Sequence, residues 1–178
     1  MPPFAVAPMS PVVVTASSTI AGFWWRVMAY VIDLIILAIV VLLPLRATNV
    51  SFYAESFIQV VASFLYFGLF IGYSGQTPGM RLFRMRCVST DGSRVTPSQA
   101  FTRAGVYCVL LLIASLYQYH AYTNPTVAQR NKEAREAGIY LLLALPHIID
   151  LLWAAWDKQR QTLHDKAGGT VVIRVARP

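Results

Sequence analysis

From Phe23 to Leu45 the chain is apolar except for two charges, Arg26 and Asp33. A helix of this length spans the roughly 30 Å hydrocarbon core of a bilayer at about 1.5 Å per residue. A charged side chain at the centre of such a helix costs about 2.5–3.5 kcal/mol on insertion scales. Both charges therefore require a partner, a water-filled cavity or, for the carboxylate, a proton. Seven residues separate them, which puts both on nearly one helical face, about 10 Å apart along the axis. That is too far for direct pairing between rigid positions. The shared face is predicted to point into protein, either as a structural device that orients one helix or as an ion or proton site.

Only 13% of the 178 residues are charged, against about a quarter in soluble domains. Apolar stretches recur at Phe57–Ile71, Ala104–Tyr119 and Ile139–Trp156. The fold class expected is an all-α transmembrane bundle with a small cytoplasmic β element. Four spans are predicted at about 23–45, 56–72, 103–120 and 138–156, with three spans as the competing reading. Four spans put Arg26, Arg81, Arg84, Arg86, Arg94, Arg103, Lys158, Arg160, Lys166, Arg174 and Arg177 on one side. Arg46, Arg130, Lys132 and Arg135 fall on the other. The positive-inside rule then places both termini, the loop 73–102 and the tail 157–178 in the cytoplasm, with the protein in the cell (inner) membrane.

The net charge of +7 sits beside apolar spans, so anionic headgroups are a simpler partner than nucleic acid. Cys87 and Cys108 fall on different elements and offer neither a disulfide framework nor metal spacing. Residues 1–22 carry no charge and four prolines, and are read as a disordered lead-in lacking the basic region of a signal peptide.

In the middle loop, Thr77 is predicted to cap a helix that opens at Pro78. The alternation over Phe83–Val88 predicts a half-buried strand, followed by an Asp91-Gly92 turn and a short return at Arg94–Thr96. Thr96-Pro97-Ser98-Gln99 is a capping box that opens the third long helix. The β-branched segment Thr170–Val175 is predicted to pair with 83–88. Asn124-Pro125 reads as another helix start, Ala128–Ala137 as a polar helix running into the fourth span, and Pro146 as a kink there. No internal or inverted repeat is visible, which counts against a transporter.

Within the fourth span, His147 and Asp150 are neighbours at i,i+3. Facing Asp33, they would form a proton or monovalent-cation site; the structural alternative has Asp150 accept hydrogen bonds from Arg26 or from backbone. Gly75-Gln76-Thr77-Pro78-Gly79, with Arg81 and Arg84, reads first as a tight turn with interfacial arginines. The second reading is an anion or headgroup cradle at a helix N-terminus. No nucleophile elbow, zinc motif or paired cysteine occurs, so neither enzymatic chemistry nor a cofactor or metal is expected.

Together these segments resemble the RDD family of small multi-pass membrane proteins. The resemblance rests on Trp25-Arg26 through Asp33, on Gly75–Leu82, on Asp91-Gly92 with Arg103, and on Arg160–Val172, in the order of the family pattern. Met80 departs from it, where a basic residue is more usual. The resemblance implies that Asp165, otherwise readable as the N-cap of a short tail helix, is the family's other aspartate. It groups Arg26, Asp33 and Asp165, with Arg26 meeting Asp165 at the membrane surface and Asp33 deeper. It also implies, for some members, cation/proton exchange, and for eukaryotic relatives a scaffold role. The expectation is an exchange protein with Asp33 as carrier carboxylate, Arg26 favouring its ionised form, and Asp165 positioning Arg26 or gating the cytoplasmic side. Transport by so small a bundle calls for a homo-oligomer or a membrane-protein partner. The alternative is a scaffold or assembly factor binding another membrane protein or anionic lipid.

Overall fold

A computed structural model describes residues 19–48, 50–123 and 148–175. Strand β1 (Thr19–Ile20) leads into α1 (Phe23–Leu37), a π-helical turn (Ala38–Leu42) and α2 (Leu43–Ala47). The three run on as one 25-residue apolar helix, Phe23–Ala47. Pro44 accounts for the π turn: it lacks an N–H and crowds the carbonyl one turn back, so the ladder widens there. After a short turn comes α3 (Phe52–Ser74), capped by the Ser51 side chain, which accepts from the Ala54 N–H, and closed by Gly75 in the left-handed region at φ 70°. Arg46 and Glu55 pair across that turn at 3.1 Å.

The loop that follows forms as the sequence predicts. Thr77 caps α4 (Pro78–Leu82), its hydroxyl accepting from the Met80 N–H, with Pro78 in the first position. Next come β2 (Met85–Ser89) and α5 (Pro97–Thr123), the latter opened by the reciprocal Thr96–Gln99 capping bonds. Residues 148–156 form α6, and α7 (Leu163–Ala167) precedes β3 (Thr170–Arg174).

Strands β2 and β3 pair antiparallel from Met85↔Arg174 to Ser89↔Thr170. The predicted return at Arg94–Thr96 is reduced to one bridge, Val88↔Arg94. Thr19–Ile20 lies inside the segment 1–22 read as a disordered lead-in, yet it adds a third strand on the far edge of β3, giving the order β1-β3-β2. Val172 accepts from the Ala21 N–H at 2.9 Å, which extends that pairing to the threshold of α1.

The core is small and lies where the sheet meets the helices. Ala21, Ala29, Ile71, Met80, Met85, Cys87 and Val172 pack there. A second cluster between α3 and α5 gathers Val60, Tyr107 and Cys108, with Tyr30 and Phe67 against it. The outer faces are apolar instead: Trp24, Val40, Leu43, Leu69, Ile113 and Leu116 are all exposed. Exposed apolar surface on this scale belongs against lipid.

Two of the described helices, Phe23–Ala47 and Ala54–Ser74, are long and apolar enough to cross a membrane. The predicted third span lies within α5, whose apolar part, Pro97–Ile113, is shorter. Only the end of the predicted fourth span is described, as α6. Its start, the polar helix Ala128–Ala137, His147 and the Pro146 kink lie outside the described residues.

Candidate functional site

Among the described residues three buried carboxylates organise the interior, and each is held differently. Asp165 is fully buried. It is not the N-cap of α7 but the N3 partner of a capping box: Thr162 is the cap, and its N–H donates to Asp165 Oδ2 at 3.1 Å. The same oxygen takes Arg26 Nη1 at 2.5 Å, while Arg103 Nη1 pairs with Oδ1. Arg26 spends its other nitrogens on the sheet: Nε donates to the Ala21 carbonyl at 3.2 Å and Nη2 to that of Val172 at 3.3 Å. One guanidinium thus ties α1 to β1, β3 and α7, and Asp165 adds α5 through Arg103. Bonds to charged groups of this kind are worth about twice a neutral one.

Asp33 belongs to a different knot. Its Oδ1 accepts from the Tyr66 hydroxyl at 2.8 Å and from the Gly79 N–H at 2.8 Å, and its Oδ2 from the Thr77 hydroxyl at 2.5 Å. The Gly75–Gly79 turn therefore does cradle an anion, but the anion is this chain's own aspartate. Gly79 is required by the close approach, since a Cβ there would sit 2.2 Å from the Ala29 carbonyl oxygen. Gln76 stitches the turn to the sheet through a 2.8 Å bond to the Met85 carbonyl. Arg81 and Arg84 are exposed beyond it, with Arg84 in the left-handed region at φ 55°. Between Arg26 and Asp33 no hydrogen bond is formed. The donors that reach Asp33 are Tyr66, Thr77 and Gly79; Arg26, expected to act on it, is not among them.

Asp150, on α6, is 4% exposed. Its partner among the described residues is His164, whose backbone N–H donates to Oδ1 at 3.0 Å and whose Nδ1 lies 2.5 Å from Oδ2. Burial, helped by the nearby Arg103 guanidinium, drives the His164 pKa down to about 4 against the pull of Asp150. The ring is therefore neutral at pH 7, and Nδ1 carries the proton it donates to Asp150. Sequence spacing suggested His147, which lies outside the described residues, and missed His164; the visible signal was its place beside Asp165.

Because the folded pKa lies below the usual 6.5, the unfolded chain takes up a proton on His164 before the folded one does. Stability from this group is complete above about pH 6.5 and drains away as the pH falls towards 4, by up to roughly 3 kcal/mol. Thermal unfolding in detergent across that window should show the decline. In His164→Asn, which keeps a side-chain N–H for Asp150 but cannot titrate, the decline should shrink measurably.

Arg26, Asp33, Arg103, Asp150 and His164 all face one cavity of about 80 Å³, several times the 10–15 Å³ that holds a water. Asp165 stands behind it, holding the two arginines. Arg103 was visible in the sequence as a charge of the cytoplasmic side and as part of the family pattern; its role as the second partner of Asp165 depends on contacts that no spacing reveals. The rest of the wall is mostly apolar, with Tyr30, Phe67 and Tyr107 on one side. Among the described residues, no group of three or more His, Cys, Asp or Glu side chains is placed to hold a metal ion.

Apolar helices that turn charges inward around a small, mostly apolar cavity define a helical protein of the membrane type. The RDD family model matches residues 20–169, and the chain belongs to the RDD family. Neither a curated protein nor a solved structure matches it.

Proposed function

We infer that the chain is a four-span membrane protein with both termini in the cytoplasm, and that its cavity takes a monovalent cation in exchange for a proton. The observation that carries this reading is the charge balance of the interior. Arg26 and Arg103 stand against Asp33, Asp150 and Asp165, and His164 is neutral. Among the described residues, one negative charge is left over. In a low-dielectric interior an unbalanced carboxylate calls for a proton or a cation, and the site alternates between the two. Asp33 is the carrier carboxylate, and Asp165 fixes the arginines so that they do not neutralise it. The protein acts without enzymatic chemistry, as a homo-oligomer or beside another membrane protein.

Cation-driven proton flux in vesicles tests the proposal, comparing wild type with Asp33→Asn at matched folded yield. The amide keeps an oxygen for Tyr66 and Gly79 and turns its NH₂ towards the Thr77 hydroxyl, so the fold has its bonds. Flux in the wild type, reduced at least ~10-fold in the variant, is the expected result. Absence of flux in both, with helices intact, would sink the exchange reading. A scaffold would then be the better description, favoured by the way Asp33 and Asp165 bind across elements, with exposed Arg81 and Arg84 meeting anionic lipid.

A further inference from the structure

The geometry points to a small organic ammonium, rather than a bare or hydrated alkali ion, as the cation this cavity accepts; the inference rests on the cation-site reading above and specifies its ligand.

An alkali ion stripped of water needs a ring of oxygens in place of its hydration shell. The carboxylates here cannot supply one. A carboxylate has about four acceptor positions, and Asp33 has already committed three, to Tyr66, Thr77 and Gly79. Asp150 has committed two, both to His164. An ion that kept its water fares no better. Each enclosed water wants two to four polar partners, and most of this wall is apolar, including Ala29, Met85, Ala104 and Leu151.

An ammonium carrying a hydrocarbon group meets both conditions at once. Its N–H groups donate to the open positions of Asp150 and to the one left on Asp33, both on the cavity wall, and its hydrocarbon part covers apolar wall that water would leave unsatisfied. Three aromatic rings supply the remaining attraction. Tyr107 lies 5.7 Å from Tyr30 and 5.4 Å from Phe67, and Tyr30 lies 6.2 Å from Phe67, centroid to centroid. Ring faces in such a cluster attract a cation most strongly where water is excluded. Arg26 and Arg103 do not repel the ligand fully, because Asp165 binds both.

Calorimetric titration of the full-length protein in lipid nanodiscs, against empty nanodiscs, distinguishes the alternatives. The probes are ethylammonium, its uncharged isostere ethanol, and sodium chloride, the first two small enough for a cavity of about 80 Å³. Saturable ethylammonium binding is expected, with the alcohol at least ~10-fold weaker and no competitive displacement by sodium. Asp150→Asn should weaken the amine ~10-fold and leave the alcohol unchanged; the wild-type probe pair decides the matter even where that variant folds poorly. Equal binding of amine and alcohol, or displacement of the amine by sodium, would overturn the inference. Failure of the amine to bind while sodium drives proton flux would overturn it and leave the exchange reading standing. Amine binding without flux of any cation would support this ligand class and remove exchange.

Discussion

Asp165→Asn is expected to cost most of the folded yield. The side chain is wholly buried and receives both Arg26 and Arg103. Asparagine keeps the volume and one acceptor oxygen, so the substitution isolates the loss of charge. Two guanidiniums would then face each other across a buried site without a counter-ion. Breaking a buried pair from one side costs about 3–5 kcal/mol, a large part of the 5–15 kcal/mol that holds a typical domain folded. Thermal unfolding in detergent and the monodisperse fraction on size exclusion would measure it. Adding Arg103→Met to Asp165→Asn should recover part of the loss, because one orphaned charge is removed; strictly additive costs would show that the two residues are not coupled. A loss under ~1 kcal/mol for Asp165→Asn would mean that the arginines reach water or another acceptor.

Gly79→Ala should be nearly as damaging, for a steric reason. The added methyl would lie 2.2 Å from the Ala29 carbonyl oxygen and 2.9 Å from Asp33 Oδ2. A main-chain carbonyl inside α1 cannot swing aside, so α4 has to move off the helix. That movement takes with it the Gly79 N–H and Thr77 hydroxyl bonds to Asp33. Overpacking costs about 1–3 kcal/mol and hydrogen bonds to a charged group about 1.5–3 kcal/mol, so a loss of about 3 kcal/mol or more is expected. Gly75→Ala is the comparison. Gly75 has φ 70°, but its Cβ would approach the Cys87 carbonyl only to 3.0 Å, and about 1 kcal/mol is expected. Melting curves of the two variants should separate clearly; equal costs would show that the α1–α4 contact is looser than described.

Local chemistry was the legible part of this chain. The β2–β3 pairing was visible in the alternation of 83–88 and the β-branched run 170–175, and the Thr77 and Thr96 caps were visible as residue types next to prolines. Arg26 and Asp33 stood out because charges are conspicuous against an apolar run. What each charge binds was not legible from spacing; the family resemblance alone put Arg26 with Asp165, the pairing the structure has. Asp33 is met by a loop 46 residues away, and Arg26 by an aspartate 139 residues away, so their partners are set by helix packing and not by spacing. The turn at 75–79 displayed the chemistry of an anion cradle, yet nothing local revealed that its occupant is a carboxylate of the same chain. His164 was hidden for a similar reason: its partner Asp150 lies on another element, and the i,i+3 rule directed attention to His147. The β1 strand escaped because two residues have no period of their own and pair only once β3 is present.

The 139 residues between Arg26 and Asp165 also set an order of events at the ribosome. At about 5–20 residues per second, the first helix waits roughly 7–28 s before its counter-ion is synthesised. During that interval Arg26 has neither Asp165 nor the β3 carbonyl of Val172, and beyond the Ala21 carbonyl its long side chain has headgroups and interfacial water to meet. Thr19–Ile20 likewise waits for Arg174 and Ile173. The segment Thr162–Arg174, synthesised long after α1, therefore acts as the clasp of the molecule. A nascent chain stopped before it would leave Arg26 in the membrane interface without Asp165 or the Val172 carbonyl.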